Sequence, residues 1–301
     1  MAHVHLPATT HIGLVGLKVA DVERSLAFYR DLLGLREVAR EGRTAWLAAR
    51  ETGPLLIALT EWPNARPKPR GTTGLYHVAI RLPNRLALAR LFQRLAEHNW
   101  PFHGFSDHKV SEAIYLPDPD ENGLELYCDR PREEWPWQNG QIAMRTDPLD
   151  VESLLREAAR DPSPWQGIHP DADVGHIHVH VADLQEAEGF YWGTLGLDVM
   201  QRDYPGALFF AAGGYHHHVG TNIWAGSGAP PPPPNAVGLH FFTLVVPDKE
   251  LIEAIAKQAA MTGHLHHRGA DGVWAEDGSG NMVRIAPDDV WEPRPMAAEL
   301  A

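Results

Sequence analysis

Residues 174–183 read VGHIHVHVAD, in which histidine alternates with isoleucine or valine. A side-chain period of two is typical of a β-strand, so this pattern places His176, His178 and His180 on one face and the apolar side chains on the other. Burying three imidazoles is costly unless water, hydrogen bonds or a metal satisfy their nitrogen atoms. The stretch therefore predicts a strand that packs a core with one face and lines a metal-holding cavity with the other.

The end of this stretch belongs to an internal repeat. The motif VADxxxxxxFYxxxLGL occupies residues 19–35 and returns at residues 181–197. A second pair, GLYHVAIRLPN at 74–84 and GLHFFTLVVPD at 238–248, returns at a nearly equal shift. Each half of the chain thus contains the order strand, helix, strands twice. The repeats predict four βαβββ modules that begin near Ile12, Leu75, Gly175 and Leu239.

Composition limits the possible functions. The chain has 301 residues, 44% of them hydrophobic, which is enough for two domains with their own cores. A formal net charge of −13 argues against a nucleic-acid or anionic membrane surface. Residues 1–10 lack the basic and apolar regions of a signal peptide, and no run is long enough to span a bilayer, so we expect a cytoplasmic protein. The single cysteine, Cys128, leaves nitrogen and oxygen as the metal ligands.

The repeats also divide the chain. We predict a first domain at residues 10–130, a linker at 131–172 and a second domain at 173–290. The linker is rich in Asp, Pro and Trp and is longer than most connections, which favours a segment that covers part of the protein. The proline run at 230–234 is interpreted as a stiff spacer between modules three and four.

Candidate ligands occur in modules two and three. The first strand of module two carries His77 at the position that matches His176, whereas module one has Leu14 there. The last strand of module two carries Glu125 between two leucines, so this carboxylate faces either solvent at an edge or the same cavity as His77. Module four has Phe241 and Arg284 at the positions that match His77 and Glu125. One metal site per chain is the simplest interpretation.

These residues carry a resemblance to a known family. The four modules and the repeated motif resemble the vicinal oxygen chelate superfamily, which includes glyoxalase I, bleomycin-resistance proteins and extradiol dioxygenases. Several segments are more similar to the two-domain catechol 2,3-dioxygenase branch: residues 74–77, 107–115, 122–127, 129–131, 175–178, 214–218 and 222–224. The resemblance implies an α+β fold in which the four modules form two glyoxalase/bleomycin-resistance-like domains with curved mixed sheets.

The resemblance implies a metal held on the first and last strands of a module, and hence by His77, Glu125 and His176. Two imidazoles and one carboxylate form the facial triad of non-haem Fe(II) oxygenases, with positions left for a catechol and dioxygen. The implied activity is extradiol cleavage of catechol or a substituted catechol with O2, with Fe(II) as cofactor and Mn(II) as the alternative. Many extradiol enzymes bind metal between modules three and four, so the use of modules two and three is a departure.

Further roles follow from the same resemblance. Tyr115, ten positions before Glu125, is expected to donate a hydrogen bond to a substrate oxygen. The acid/base histidine is expected at 216–218, where alternation from an inward Asn222 favours His216 and His218 and a bulge favours His217. We therefore predict His217 and His218 as catalytic.

Other polar side chains are expected at the pocket. His108 is a further catalytic candidate, although its spacing to Tyr115 is shorter than the family pattern. We predict that His178, His180 and Asn222 bind substrate.

Two other functions remain open. A glyoxalase-type lyase or isomerase would use Zn or Ni and would want a second acidic ligand, where this chain has Asn222. A metal-free binding protein of the bleomycin-resistance type would not need the His/His/Glu set. The expected partners are a small aromatic diol and O2, without nucleic acid or membrane, and a homodimer or higher homo-oligomer is possible. The sequence does not decide whether modules two and three meet within one chain or between chains.

Overall fold

A computed structural model describes residues 4–287 of the chain. Three residues of the N-terminal segment and the predicted end of the second domain, 288–290, therefore lie outside the described residues. The division of the chain at 10–130, 131–172 and 173–290 stays a prediction.

Four modules of one strand, one helix and three strands follow one another. Module 1 contains β1 (His11–Val19), α1 (Val22–Leu26), β2 (Arg36–Glu41), β3 (Thr44–Ala48) and β4 (Leu55–Glu61). Module 2 contains β5 (Gly74–Arg81), α2 (Arg85–Glu97), β6 (Gly104–Asp107), β7 (Ser111–Pro117) and β8 (Gly123–Asp129). The connection to module 3 contains a 3-10 turn (Arg132–Glu134), β9 (Trp137–Gln138), β10 (Gln141–Ile142), β11 (Asp147–Pro148) and α3 (Val151–Ala158).

The second half repeats this order. Module 3 contains β12 (Asp173–His180), α4 (Leu184–Glu188), β13 (Asp198–Gln201), β14 (Ala207–Ala211) and β15 (Val219–Asn222). Module 4 contains β16 (Gly238–Val245), α5 (Lys249–Thr262), β17 (Leu265–Gly269), β18 (Gly272–Glu276) and β19 (Met282–Ala286). Within the described part of the chain, no helix has the length and apolar character needed to cross a bilayer.

Each of the two large mixed sheets joins modules from both halves of the sequence. One sheet has the order β17-β18-β19-β16-β1-β4-β3-β2 and combines modules 4 and 1. The other has the order β11-β6-β7-β8-β5-β12-β15-β14-β13 and combines modules 2 and 3. The modules join through antiparallel β1–β16 and β5–β12 pairs, whereas the first and last strands within a module pair in parallel. Modules 2 and 3 therefore meet within one chain.

The repeated motif explains the helices of modules 1 and 3. Asp21 and Asp183 cap them, since their carboxylates accept hydrogen bonds from backbone N–H groups of the first turn. Gly34 and Gly196 follow the ends of these helices with φ of +83° and +85°, which glycine adopts without strain.

The end of each motif helix differs from the expected α-helix. The last turns, Ala27–Leu32 and Gly189–Thr194, are π-helical. The amide of Leu33 reaches back to the carbonyl of Phe28, five residues earlier. The wider turn lets Phe28, Tyr29 and Leu33 all face the core, whereas a uniform α-helix would turn one of them away.

The motif tyrosines join the modules of each half. The Tyr29 hydroxyl donates to Asp118 in module 2 at 3.1 Å, and the Tyr191 hydroxyl donates to Asp277 in module 4 at 3.0 Å. Burial raises the pKa of Asp118 to about 6, against the hydrogen bonds that it accepts. The shared position of tyrosine in both motifs is thus a matter of packing and hydrogen bonding between modules, rather than of the cavity chemistry.

The inner face of the sheet of modules 1 and 4 is filled by its own side chains. Leu14, Trp46, Phe241 and Trp274 form a buried cluster there. Phe241 lies directly over Gly16, where a β-carbon would collide with its ring. Each fully buried side chain of this size stabilises the fold by about 1.5–3 kcal/mol. This face is therefore a packed core in place of a cavity.

Candidate metal centre

The three predicted ligands converge in the sheet of modules 2 and 3. Ala79 on β5 pairs with Glu125 on β8 and with His176 on β12, and His77 precedes Ala79 on the same face of β5. The small side chain of Ala79 leaves space in front of the sheet, and the ligand side chains from both neighbouring strands lean into it. The period of two and the strand register thus place two halves of the sequence around one point.

The ligand atoms lie close together. The Nε2 atom of His77 is 3.0 Å from Oε2 of Glu125, and the Nε2 atom of His176 is 3.1 Å from the same oxygen. The three side chains are buried, with 1–3% of each residue exposed. Among residues 4–287, this is the one group of three or more such donors whose ligand atoms lie within 4.8 Å of one another.

The electrostatic state of these groups suits a cation. Burial alone would raise the pKa of the Glu125 carboxyl, but His176 and His77 hold that pKa well below its usual range. Burial lowers the pKa of His176 to about 4, although Glu125 opposes this shift. Near neutral pH the carboxylate is therefore charged and the His176 imidazole is neutral, which are the forms that bind metals.

The hydrogen bonding also fits a metal. Within the described residues, neither ring nitrogen of His77 has a hydrogen-bond partner, and Nδ1 of His176 has none. Although Nε2 of His77 is only 3.0 Å from Glu125, the contact lacks hydrogen-bond geometry. A buried nitrogen without a partner is costly in a protein interior, and a cation between the three ligands would satisfy Nε2 of His77. The residues present therefore form a group that could bind a metal.

Gly175 on β12 leaves room for the side chain of Tyr127, which reaches across from β8 beside this group. The strand is irregular between Val174 and His176, and a β-carbon on Gly175 would overlap the phenol oxygen of Tyr127. The Tyr127 ring in turn packs against His176 at 4.9 Å between ring centres. The close contact between Gly175 and Tyr127 therefore affects both the packing of the sheet and the position of His176.

We predict that Gly175→Ala lowers the free energy of unfolding by about 1–3 kcal/mol, because overpacking must displace Tyr127. Gly189→Ala is the matched control, since a β-carbon on Gly189 would meet no atom beyond its own helix within 4 Å. Urea unfolding of the two variants measures the difference. Equal stability of both variants would contradict the account of this contact.

A cavity of about 380 Å³ opens beside His77 and Glu125. Aromatic and aliphatic side chains supply most of its wall, and the linker contributes Met144 and Thr146. The linker thus covers one side of the cavity. The cavity volume lies at the lower end of the range for small-molecule sites.

Tyr115 and His108 form a hydrogen-bonded pair in the cavity wall. Tyr115 pairs with Glu125 across β7 and β8, and its hydroxyl lies 2.7 Å from Nε2 of His108. Nδ1 of His108 is 2.6 Å from the carbonyl oxygen of Arg145, so Nδ1 carries a proton. Nε2 of a neutral His108 then accepts a hydrogen bond from the phenol hydroxyl of Tyr115. Burial and the Glu125 carboxylate raise the pKa of Tyr115 well above its usual range, so the phenol is protonated.

The structure separates the three neighbouring histidines 216–218. They lie in an irregular segment before β15, so strand alternation does not apply to them. His217 lines the cavity, and its ring centre is 4.0 Å from that of His176. His218 lies behind the wall, where its Nδ1 accepts a hydrogen bond from the amide of Ala212. His216 points away from the cavity toward Asp129.

The three predicted substrate-binding residues form one hydrogen-bonded chain. The Asn222 amide donates to Nε2 of His178 at 3.0 Å, and Nδ1 of His180 donates to the Asn222 carbonyl oxygen at 2.6 Å. His178 lines the cavity, whereas Asn222 is fully buried behind it and His180 lies beyond Asn222. Asn222 therefore orients His178 and lies outside the His77–Glu125–His176 group.

Sequence patterns did not reveal much of the cavity wall. Tyr76, Tyr204, Phe209 and Trp224 line it, together with the linker. Tyr76 and Trp224 stand at the exposed mouth, with 5.4 Å between their ring centres. Tyr76 could have been suspected because it precedes His77, but the other residues reach the cavity only through the tertiary fold.

Comparison with known proteins places the chain in a family. The model of the Glyoxalase/Bleomycin resistance protein/Dioxygenase superfamily matches residues 11–126 and 173–285. Catechol-2,3-dioxygenase of Bacillus subtilis (strain 168) is 46% identical over 259 residues, which cover 85% of this chain and 89% of that protein. The chain therefore belongs to the glyoxalase/bleomycin resistance/dioxygenase superfamily.

Solved structures share the fold. A crystal structure of a protein from Bacillus subtilis subsp. subtilis has a TM-score of 0.65 at 15% identity, and the match covers 95% of this chain and 86% of that chain. Glyoxalase I from Zea mays has a TM-score of 0.57 at 16% identity, with coverage of 93% and 94%. The predicted α+β fold class, the predicted family and the prediction of a dioxygenase-type oxidoreductase are confirmed by the family match and the 46% identical relative.

Proposed function

We propose that this chain is an Fe(II)-dependent extradiol dioxygenase that cleaves the ring of catechol or a substituted catechol with O2. The observation that carries the proposal is the buried His77–Glu125–His176 group, which adjoins a small cavity lined largely by aromatic and aliphatic side chains. The catechol-2,3-dioxygenase relative at 46% identity supports the same activity.

The ligand set determines which metal chemistry is useful. Two neutral imidazoles and one carboxylate are the donors of the facial triad, which favours Fe(II) with Mn(II) as the alternative. Held by His77, Glu125 and His176, Fe(II) would supply the electron-transfer chemistry that a catechol and dioxygen need in order to react. Zinc lacks redox chemistry and would not support this reaction.

His217 is the proposed acid/base group for the substrate. Its ring lies against that of His176 and lines the cavity, within reach of a catechol bound beside the ligands. Burial and the neighbouring imidazoles lower the pKa of His217 well below its usual range. The ring is therefore neutral near pH 7 and has a nitrogen free to accept a proton from a catechol hydroxyl, which it holds only transiently because the low pKa makes it a weak base.

Tyr115 is proposed to bind a substrate oxygen. When His108 is neutral, the phenol hydroxyl of Tyr115 donates a hydrogen bond to His108. The phenol oxygen can then accept a hydrogen bond from a substrate hydroxyl. The His108–Tyr115 pair thus fixes the orientation of the phenol hydroxyl in the cavity wall.

The side chains in the cavity wall orient the aromatic ring of the substrate and exclude water from it. Phe209 and Trp224 both pack against the ring of His178, with 5.7 Å and 5.5 Å between ring centres. Met144 and Thr146 of the linker close the cavity on another side. A cavity of about 380 Å³ with these aromatic side chains in its wall suits a small aromatic ring.

Anaerobically purified chain reconstituted with Fe(II) tests the proposal. We expect catechol to be consumed with uptake of dioxygen and formation of a yellow ring-opened semialdehyde. Absence of both dioxygen uptake and colour after reconstitution would contradict the proposed function. Turnover of a lyase substrate by the Zn or Ni form would then favour the glyoxalase-type alternative.

A cytoplasmic location and a homodimer or higher homo-oligomer stay predictions.

The charge of the cavity predicts which ring substituents are accepted. Among the described residues that line the cavity, none is a lysine or an arginine. A carboxylate on the ring would be buried without a lysine or arginine to pair with it, at an effective cost of several kcal/mol. We therefore expect kcat/KM for 3,4-dihydroxybenzoate to be at least about 100-fold below that for 4-methylcatechol, since 1.4 kcal/mol is tenfold.

Steady-state kinetics with both substrates checks this expectation. Thr146→Lys is the matched variant because it adds a cation to the cavity wall, and it should narrow the ratio. Equal efficiency of the original chain with both substrates would show that the cavity accommodates an anion by another route.

A further inference from the structure

The side of His217 that faces away from the cavity is tied into a buried chain of hydrogen bonds. Nδ1 of His217 lies 2.8 Å from Nδ1 of His216, and Nε2 of His216 lies 2.9 Å from Oδ1 of Asp129. His216 is fully buried, and Asp129 is the last residue of β8. The chain therefore connects the proposed acid/base residue to a carboxylate outside the cavity.

The Asp129 carboxylate determines which atom donates in each of these hydrogen bonds. An ionised carboxylate can only accept, so Nε2 of His216 carries a proton. In a neutral His216 the other nitrogen, Nδ1, is then an acceptor and requires a donor. That donor is Nδ1–H of His217. The proton on Nδ1 leaves Nε2 of His217 without one, and Nε2 is the ring nitrogen left to face the cavity.

Asp129 is held as a carboxylate by three donors. It accepts hydrogen bonds from His216, from the Tyr215 hydroxyl at 3.1 Å and from Nη1 of Arg81 at 3.2 Å. Burial alone would raise the pKa of Asp129, but His216 and Arg81 hold that pKa below its usual range. Arg81 shares its positive charge between Asp129 and Asp173, and the Tyr215 hydroxyl donates a further hydrogen bond to Asp129, so that a neutral His216 can also donate to this carboxylate.

We propose that Asp129 and His216 are positioning residues that fix the tautomer of His217 with Nε2 unprotonated, so that this atom can accept a proton from the substrate. This inference rests on the proposed function. In the step, the O–H bond of a catechol hydroxyl breaks, an N–H bond forms at Nε2 of His217, and the catechol oxygen keeps the electron pair. The positive charge on His217 is stabilised by Asp129 through His216. A carboxylate that holds a catalytic imidazole in one tautomer has large effects in other enzymes.

Asp129→Asn tests the proposal because Arg81 dictates how the new amide lies. Nη1 of Arg81 donates to Oδ2, so the amide oxygen must remain there and the NH2 group must replace Oδ1, opposite His216. The amide then donates to Nε2 of His216, and both histidines must invert. In the variant, Nε2 of His217 carries the proton and cannot accept one.

Nitrogen-15 NMR of the full chain labelled at histidine observes the tautomer directly. Zn²⁺ replaces Fe(II) in this experiment because it is diamagnetic, and His217→Gln identifies the His217 signals by their loss. We expect the Nδ1–H form of His217 in the original chain and the Nε2–H form in Asp129→Asn. Asp173→Asn is the matched control, since Asp173 also pairs with Arg81 but does not contact His216, and it should keep the original tautomer.

Kinetics of the Fe(II)-loaded chain measures the consequence. We expect kcat for catechol to fall by at least about 100-fold in Asp129→Asn, with a much smaller change in KM. Asp129→Glu should restore part of the loss, because it returns a carboxylate. An Nε2–H form in the original chain, or a variant that keeps the original tautomer or kcat, would overturn the proposal. If the original chain shows the expected tautomer but does not cleave catechol, the proposed function fails and the tautomer assignment stands.

Discussion

Glu125→Gln is expected to abolish metal binding and ring cleavage together. The substitution keeps the volume of the side chain but removes the only carboxylate of the His77–Glu125–His176 group. Loss of partners that merely orient metal ligands costs 10–100-fold in metal affinity, so loss of a ligand should cost more than about 100-fold. The metal content of the purified variant and its rate with catechol measure both effects.

Thermal unfolding separates this loss from misfolding. In the original chain, metal at about 100 times its dissociation constant should stabilise the fold by about 2.7 kcal/mol, whereas Glu125→Gln should gain almost nothing. Glu133→Gln changes an exposed glutamate and is the matched control. His77→Ala and His176→Ala should behave like Glu125→Gln. Retention of metal by any of the three variants would contradict the assigned ligand set.

His217→Gln is expected to lower kcat by about 10²–10⁴-fold while the metal remains bound. The side chain lines the cavity and lies against His176, but it is not part of the ligand group. Glutamine can still hydrogen-bond in the cavity, although it cannot accept and return a proton near neutral pH. Single-turnover kinetics on protein of known iron content measures the chemical step.

His218→Gln is the comparison that decides between the two predicted catalytic histidines. His218 accepts a backbone hydrogen bond behind the cavity wall, so its substitution should lower stability more than kcat. A large fall in kcat for His218→Gln together with a small one for His217→Gln would reverse the assignment and remove the basis for the role of Asp129.

The fold could be predicted from the sequence because the sequence contains an internal repeat. The two VADxxxxxxFYxxxLGL motifs specify a strand, a helix cap and a glycine end, and the structure shows these features at Asp21, Asp183, Gly34 and Gly196. The wider π-turn was not predicted, because the pattern of apolar residues fits an α-helix nearly as well. The pairing of modules 2 and 3 was also left open, since it depends on which strands meet in space.

The site was partly accessible for the same reason. Strand alternation predicts that His77 and His176 face one side, and the register of β5, β8 and β12 brings them to Glu125. Alternation could not place His217, because residues 216–218 lie in an irregular segment. The linker forms part of the cavity wall, and His216 donates a hydrogen bond to Asp129. Both features depend on contacts between segments that are distant in the sequence, for which a local pattern gives no signal.

Diffraction from crystals of the Fe(II)-loaded chain at the iron absorption edge tests the central claim most directly. We predict one anomalous peak per chain, between Nε2 of His77, Nε2 of His176 and the carboxylate of Glu125, in front of Ala79. A peak at another group of side chains, or iron-loaded crystals without a peak at this position, would contradict the metal centre and with it the proposed dioxygenase activity.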